Sequence, residues 1–505
     1  MRACLAAAVL VFLAWPAPAE RINQEGRILG SAPVVTNSIL FNTPDDDAIV
    51  SAMQIFPATN AWNEDISRRP VLPNSDAMIA QIGVDLAAKG SGRQNLRVFQ
   101  EMNFVLTPDS QPLLPISFLL YGDESDPSPY PIPANMPVET WPTGTGSLTL
   151  SQWQQDVNNT GGDRHTIIVQ PGNGFIWETW EAKLTNGNWQ ASNGAKFDLK
   201  SNAPRPAGWT SGDAAGLAMF PALPRYDECE RGMVEHACRI VVAKSRKEYI
   251  YPATHYASTT PATQTNVPAM GQRVRLKSSF TIPSAWAKEE KALLLGLKKY
   301  GALVADNGGF FSISITPDDR WPANAFSHIP TIGITNFEVI QTTGPNEGPR
   351  SPGAPSADAG PDQAVPYGAG AALQGFVRYT AALPAIQWRL YSGPGSATFA
   401  NAAQTNTSAS FSAPGSYTLM LSADDGIHAV AYDAAVITVS SNLPVSISRA
   451  GSNVNLSWTG GVPPYLIERT DRLPPNAWAA VITTNGQAAS IPITPTNSFF
   501  RIRGQ

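Results

Sequence analysis

Apolar and polar residues alternate at a spacing of two through the last third of the chain, whereas the first two thirds mix short apolar runs with turn clusters. Ala385-Ile386-Gln387-Trp388-Arg389-Leu390 and Ser416-Tyr417-Thr418-Leu419-Met420-Leu421 each place apolar residues two apart, as half-buried strands require. Gly393-Pro394-Gly395 and Asp424-Asp425-Gly426 supply turns beside them. Further on, Val454-Asn455-Leu456-Ser457-Trp458 alternates, a strand from Tyr465 to Arg469 follows Pro463-Pro464, and Phe499 to Arg503 reads as a closing strand. Helical periodicity stands out in two segments of the first part. One is capped by Ser284, carries Glu289 and Glu290 early and Lys298 and Lys299 late, and stops at Gly301. Its apolar stripe is Leu293, Leu294, Leu297 and Tyr300. The other runs from Asp76 to about Lys89, capped by Ser75, with Met78, Ile79, Ile82 and Leu86 inward. The pattern predicts a mainly β protein: a large β-sandwich-like (α+β) N-terminal domain with peripheral helices, followed by two small immunoglobulin-like β-sandwich modules.

The clearest boundary is the segment from Gly344 to Pro355, whose four prolines and three glycines suit a stiff linker. The expected organisation is a signal peptide over 1–19, a main domain over 20–343, the linker over 344–355, and modules over 356–441 and 442–505. Export rests on Arg2, the apolar run Leu5 to Trp15, and the small-x-small site Ala17-Pro18-Ala19. That run is shorter than the roughly 20 residues a spanning helix needs. Of three cysteines, Cys4 leaves with the signal. Cys229 and Cys238 flank Arg231-Gly232, and either a disulfide across a hairpin or two buried free thiols fits them. The net charge of −5 over 505 residues, with no Lys/Arg run, argues against a nucleic-acid partner. Charged residues at 15%, with 40 Gly and 44 Pro, suit short strands joined by many turns in an extracellular protein.

The 356–441 stretch resembles a PKD or related immunoglobulin-like domain, on Ala357-Asp358-Ala359-Gly360-Pro361-Asp362-Gln363-Ala364-Val365, Trp388, and Ala413 to Leu419 before Ala423-Asp424-Asp425-Gly426. The final stretch is similar to a truncated fibronectin type III-like module. Such domains imply spacers or sugar-binding accessories of secreted enzymes and adhesins.

Familiar catalytic signatures are missing: there is no Gly-x-Ser-x-Gly elbow, no Gly-rich phosphate loop and no His-Glu-x-x-His. The densest candidate stretch runs from Arg205 through Gly208-Trp209-Thr210-Ser211-Gly212-Asp213-Ala214-Ala215-Gly216-Leu217 to Arg225-Tyr226-Asp227-Glu228. A glycosidase needs two carboxyl groups across a sugar-sized gap, and Asp213 with Glu228 or Asp227 fits that need. Trp209 and Tyr226 fit stacking on sugar rings. On the plainer alternative Asp213 caps the next turn and Asp227 pairs with Arg225 or Arg231.

A second cluster is Gly162-Asp163-Arg164-His165, where Asp163 and His165 share a strand face with Ile167 and Val169. Glu178 and Trp180 share a face of the next strand. His165 and Glu178 are thus candidate catalytic residues, and Arg164 and Trp180 candidate substrate contacts, or His165 is a core histidine at a strand start. A lyase on a uronic glycan needs a base and a cation, for which His165, His236, His255, Tyr256 and Arg239 are the right types. Arg273, Arg275 and Lys277 form a one-sided ladder suited to an anionic polysaccharide or to a solvated strand face. Asp306-Asn307-Gly308 reads first as hairpin-turn chemistry and second as a functional acid.

Residues 55–340 resemble a widespread family of secreted bacterial proteins. The likeness rests on Tyr121 to Asp126 with Pro131-Ile132-Pro133, on Gly162 to His165, on Gly208 to Leu217, on Arg225 to Glu228, on Tyr251 to Ser258, and on Val304 to Gly308. That resemblance brings no established activity, so no catalytic role is carried over. The expected function is a secreted polysaccharide-active enzyme, foremost a glycoside hydrolase with a carboxylate pair. A lyase on an acidic (uronic) glycan comes second, and a non-catalytic carbohydrate-binding or adhesion protein third. The expected partner is an extracellular polysaccharide, with no nucleic acid, no membrane anchor and no cofactor or metal.

Overall fold

The computed structural model describes residues 20–380, 383–475, 477–494 and 498–504. The expected signal peptide, with Cys4, lies outside the described residues. Contacts divide the described residues into one unit of Asn23–Pro352 and another of 353–504 together with 20–22. The protein is mainly β.

The strands of the larger unit are β1 (Ile39–Leu40), β2 (Leu96–Gln100), β3 (Val105–Leu106), β4 (Ile116–Phe118), β5 (Thr166–Gln170), β6 (Phe175–Trp180) and β7 (Lys183–Thr185). They continue as β8 (Asn188–Ala191), β9 (Asn193–Asp198), β10 (Cys238–Val242), β11 (Arg273–Leu276), β12 (Ala302–Asn307), β13 (Phe311–Ile315) and β14 (Phe337–Val339). A five-stranded sheet has the order β1-β3-β5-β6-β9 and a six-stranded sheet the order β14-β11-β12-β10-β13-β2. Both are mixed, with β3–β5, β10–β12 and β13–β2 parallel. Ile167, Val169 and Ile176 of the first sheet share one apolar core with Ile240, Val242, Val304 and Ile313 of the second. Ile168, on the opposite face of β5, packs in a separate cluster with Ile116, Tyr130 and Trp189. A strand buried on both faces drops the alternation and reads as a continuous apolar run, as Thr166-Ile167-Ile168-Val169 does.

Helices α1 (Pro44–Ser51), α2 (Ser75–Ala87), α3 (Leu150–Gln154), α4 (Tyr226–Arg231) and α5 (Lys288–Lys299) complete the unit. The two helices expected from periodicity are α2 and α5, each with a corrected start. Ser75 is the first residue of α2, not its cap, and its Oγ accepts the Val339 N–H at 2.8 Å. Helix α5 begins at Lys288 rather than after Ser284, and the Glu290 carboxylate reaches back to the Ala287 N–H at 3.1 Å. Of the two alternatives for Cys229 and Cys238, the structure has the free, buried thiols.

The Arg273–Lys277 ladder is corrected as well. Arg273 and Arg275 are buried in β11. Arg273 donates to the carbonyls of Tyr300 and Ala61, and Arg275 to those of Ile66, Ser67 and Arg69 and to the Glu338 carboxylate. The guanidiniums satisfy loop and helix-end carbonyls that packing takes from water. The proline-rich segment is tied to this unit at Arg350, whose guanidinium meets Glu64 at 3.0 Å.

In the other unit, a four-stranded sheet has the order Gln363–Pro366, Ala431–Ser440, Gly415–Asp424, Ala385–Ser392. Trp388, Tyr417, Leu419, Leu421 and Ile437 form its core. The Tyr417 hydroxyl donates to the Ala413 carbonyl at 2.8 Å, the local bond of an immunoglobulin-type tyrosine corner. Two three-stranded antiparallel sheets follow, enclosing Leu456, Trp458, Tyr465, Ile467 and Ile491. No helix among the described residues is long and apolar enough to cross a membrane.

Candidate functional site

A cavity of about 250 Å³ opens where loops at one end of the five-stranded sheet meet the C-terminal end of β12. One wall holds Tyr121 and Trp180, with ring centroids 6.2 Å apart. Asp163 and His165 form a second wall, just before β5. Thr210, Ser211 and Gly212 line the cavity too, and His255, Asp306 and Asn307 close the far side.

Arg164 has φ +45°, so the expected strand face does not extend through Asp163 and His165. The turn still delivers both to the cavity and sends Arg164 the other way. The Arg164 guanidinium is buried on the carbonyls of Ala182, Trp153 and Gln154 and is not available to a substrate.

Behind the lining lies a layer of buried charge. His165 Nδ1 bonds Glu139 Oε2 at 2.9 Å, with both side chains nearly buried. Burial alone would lower the imidazole pKa, but the adjoining Glu139 carboxylate raises it to about 9, so the ring is an imidazolium at neutral pH. With Nδ1 engaged, Nε2–H is the donor left to serve the cavity. His255 is set the other way: its Nδ1 lies 2.8 Å from the Ala214 carbonyl oxygen. A carbonyl oxygen only accepts, so Nδ1 carries a proton there, and in the neutral ring the lone pair is on Nε2.

Asp306 keeps 30% of its side chain exposed, with Oδ1 accepting the Asn307 N–H at 2.7 Å and Oδ2 3.5 Å from Arg239. Burial, then the neighbouring Asp213, raise its pKa to about 6 against the opposing pull of Arg239. Glu178 is fully enclosed below the floor, where its oxygens accept the N–H groups of Met219 and Phe220 at 2.9 Å. Burial raises its pKa to about 7.

The remaining sequence candidates scatter. Asp213 is not a cavity wall; its carboxylate bonds the buried Arg239 at 2.8 Å. Arg239 in turn lies 3.5 Å from Asp306, so it serves a carboxyl rather than a substrate in this arrangement. Glu228 lies at the start of α4, paired with Arg225 at 3.1 Å and His236 at 3.1 Å, and lines a separate small cavity with both. Burial opposes its charge, but Arg225 and His236 beside it hold its pKa well below the carboxylate range. Asp227 pairs with Arg225 and Arg231, the plainer of its two expected readings. The structure therefore does not bring Asp213 and Glu228 together as a facing pair. Tyr226 packs on Trp321 with Arg320 over its ring, and Trp209 lies beside Arg205. Tyr256 stacks on His255 at 5.7 Å, next to the cavity.

Sequence reasoning missed Glu139 and left Tyr121 unassigned to any chemistry. Tyr121 is marked only by its place in the Tyr121-Gly122-Asp123-Glu124 motif, and nothing in Val138-Glu139-Thr140 marks the histidine's partner. Among the described residues no group of three or more His, Cys, Asp or Glu side chains is arranged to hold a metal ion.

No family model matches the chain. No curated protein matches it either. Among solved structures, it is similar to titin domains at 12% identity and a TM-score of 0.15, over 30% of this chain and 60% of that one. It is also similar to a beta-glucuronidase of Bacteroides uniformis at 10% identity and a TM-score of 0.13, over 30% of this chain and 23% of that one.

Proposed function

We propose that the Asn23–Pro352 unit is a secreted glycoside hydrolase that cleaves an extracellular polysaccharide at this cavity. The observation that carries the reading is Asp306. It is a carboxyl group reached from a cavity with an aromatic wall, and its raised pKa keeps a protonated fraction near pH 6. A general acid works best with a pKa near the operating pH. Asp306 donates its proton to the glycosidic oxygen, and Asp163, the other carboxylate of the lining, activates water or attacks the anomeric carbon. Trp180 and Tyr121 stack on sugar faces, and His165 Nε2–H donates to a ring substituent. Glu178, without access to the cavity, supports the floor instead of reacting. The PKD-like and fibronectin-like modules act as spacers or binders.

The tautomer of His255 favours a second reading, a lyase on an acidic glycan. His255 Nε2 is then the base and the His165 imidazolium neutralises the uronate carboxyl group.

A panel of neutral and acidic polysaccharides separates the two. New reducing ends without ultraviolet-absorbing ends support the hydrolase, and unsaturated ends support the lyase. Binding with neither product favours a carbohydrate-binding protein. Asp306→Asn is expected to abolish hydrolysis while leaving the thermal midpoint near the parent's; full turnover in that variant removes the hydrolase reading.

A further inference from the structure

Strand β12 would turn Asp306 to the face of Val304 if it ran without interruption. Val304 and Asp306 are two apart and would share a face, and Val304 is in the core. The parallel pairing of β10 with β12 instead slips by one residue. Ile240 pairs with Val304, but Val241 pairs with Asp306, leaving Ala305 as the extra residue. A one-residue slip moves the following side chains to the opposite face. Asp306 thereby shares the face of Arg239, two before Val241, and not that of Ile240 and Val242.

Arg239 spans this slip with its whole guanidinium group. Nε meets Asp213 Oδ2 at 2.8 Å, Nη1 meets Ser314 Oγ at 3.3 Å, and Nη2 meets Asp306 Oδ2 at 3.5 Å. Its side chain is only 4% exposed and that of Asp213 is fully buried, so neither can touch a polysaccharide. The far ends are fixed too. Ser314 Oγ donates to Glu101 at 2.7 Å, and the Asp213 backbone N–H donates to Ser211 Oγ at 2.9 Å.

We propose that Arg239 is the positioning residue for Asp306, holding its carboxyl at the cavity side of the β12 bulge, and that Asp213 acts through Arg239. The proposal rests on the hydrolase reading. The charged groups that bear on Asp306 are Asp213 from the Gly-rich loop, Arg239 from β10 and His165 from before β5. Glu101 joins through Ser314 of β13, and Asp163 and His255 line the same cavity. Planar, forked and always charged, arginine is suited to three partners at once; lysine is not.

The test measures kcat, KM and the pH profile of the full chain on the polysaccharide it cleaves. Arg239→Lys is expected to lower kcat about 100-fold with KM unchanged, the scale of loss for a reacting group misplaced by about 1 Å. Asp213→Asn leaves the Arg239 charge uncompensated beside Asp306, which favours the ionised carboxylate. The alkaline limb of kcat, where the acid loses its proton, is then expected to move down by about one pH unit. A merely structural role would lower stability without moving that limb. If Asp213→Asn does not fold, Ser314→Ala carries the test, because it removes one bond to Arg239 and is expected to lower kcat at constant KM. Asp306→Asn is measured beside them. If it retains turnover, the hydrolase reading fails and the positioning role with it. If it is inactive while Arg239→Lys and Asp213→Asn (or Ser314→Ala) keep the parent's kcat and pH profile, only the positioning role is overturned.

Discussion

Glu139 Oε2 accepts two hydrogen bonds from one residue, from His165 Nδ1 at 2.9 Å and from the His165 backbone N–H at 3.2 Å. The pair fixes the ring, the charge and the local backbone together, at the point where the chain turns from the cavity into β5. It also joins β5 to the segment around Val138-Glu139-Thr140, because the Glu139 N–H donates to the His165 carbonyl at 2.8 Å. A side chain so tied on both sides holds a defined donor toward the cavity without help from a ligand.

That pairing makes stability depend on pH with a definite sign. The folded pKa of His165 is raised to about 9 from an ordinary value of 6.5. Its contribution is therefore fully present below pH 6.5 and is lost as pH rises through 9. The shift corresponds to about 3 kcal/mol. Between pH 6 and 9.5 the thermal midpoint of the parent is expected to fall by more than that of His165→Gln. Melting curves at both pH values check this, and parallel pH slopes for the two proteins would remove the assignment.

Arg273 tests whether the basic ladder of β11 is structural. Its guanidinium donates to the Tyr300 carbonyl at 2.6 and 2.9 Å and to the Ala61 carbonyl at 2.7 Å. Tyr300 is the C-cap of α5, so Arg273 closes that helix end in place of water. Arg273→Met strands those carbonyls and is expected to cost about 3 kcal/mol or more. Arg273→Lys should recover part of the loss, since one ammonium group cannot reach both carbonyls. Denaturant unfolding measures both. A solvated ladder predicts the reverse pattern, unchanged unfolding with weaker binding of acidic polysaccharide.

The ladder shows what the sequence carries and where it stops. Period-two patterning identifies a strand but not which face is covered. Trp388 and Leu421 read correctly because an alternating apolar face must be buried somewhere. Arg273 and Arg275 alternate equally well, yet they point into a layer of backbone carbonyls supplied by residues 61–69 and the end of α5. Those partners lie about 200 residues away in sequence for Arg275 and Ile66, and no local pattern announces them. Asp306 is hidden by a different cause. Asp-Asn-Gly has the chemistry of a turn, but the turn starts after Asn307, and the bulge that re-aims Asp306 depends on the register with β10. Asp213, beside Gly212, and Glu228, beside Asp227, have the residue type of a catalytic pair. Burial with a cation is the commoner use of such a residue, and only packing reveals it.

Gly216 supplies a prediction about the loop behind the cavity. Its φ is +72°, a left-handed value that costs an L-residue roughly 1–2 kcal/mol. A Cβ there would also strike Thr254 Oγ1 and come within 2.5 Å of the Trp209 carbonyl oxygen. Thr254 is not free to retreat, because the N–H groups of both Thr254 and His255 donate to the Ala215 carbonyl. Pushing on Thr254 therefore moves His255, which lines the cavity. Strain and overpacking together predict a loss of about 3 kcal/mol in Gly216→Ala. Adding Thr254→Ala removes the side-chain clash but neither the left-handed backbone nor the approach to the Trp209 carbonyl. The double variant is thus expected to recover only part of the lost stability. Thermal unfolding of the two variants decides the matter: full recovery would put the whole cost in the Thr254 side chain, and an unaffected single variant would show that the loop relaxes freely.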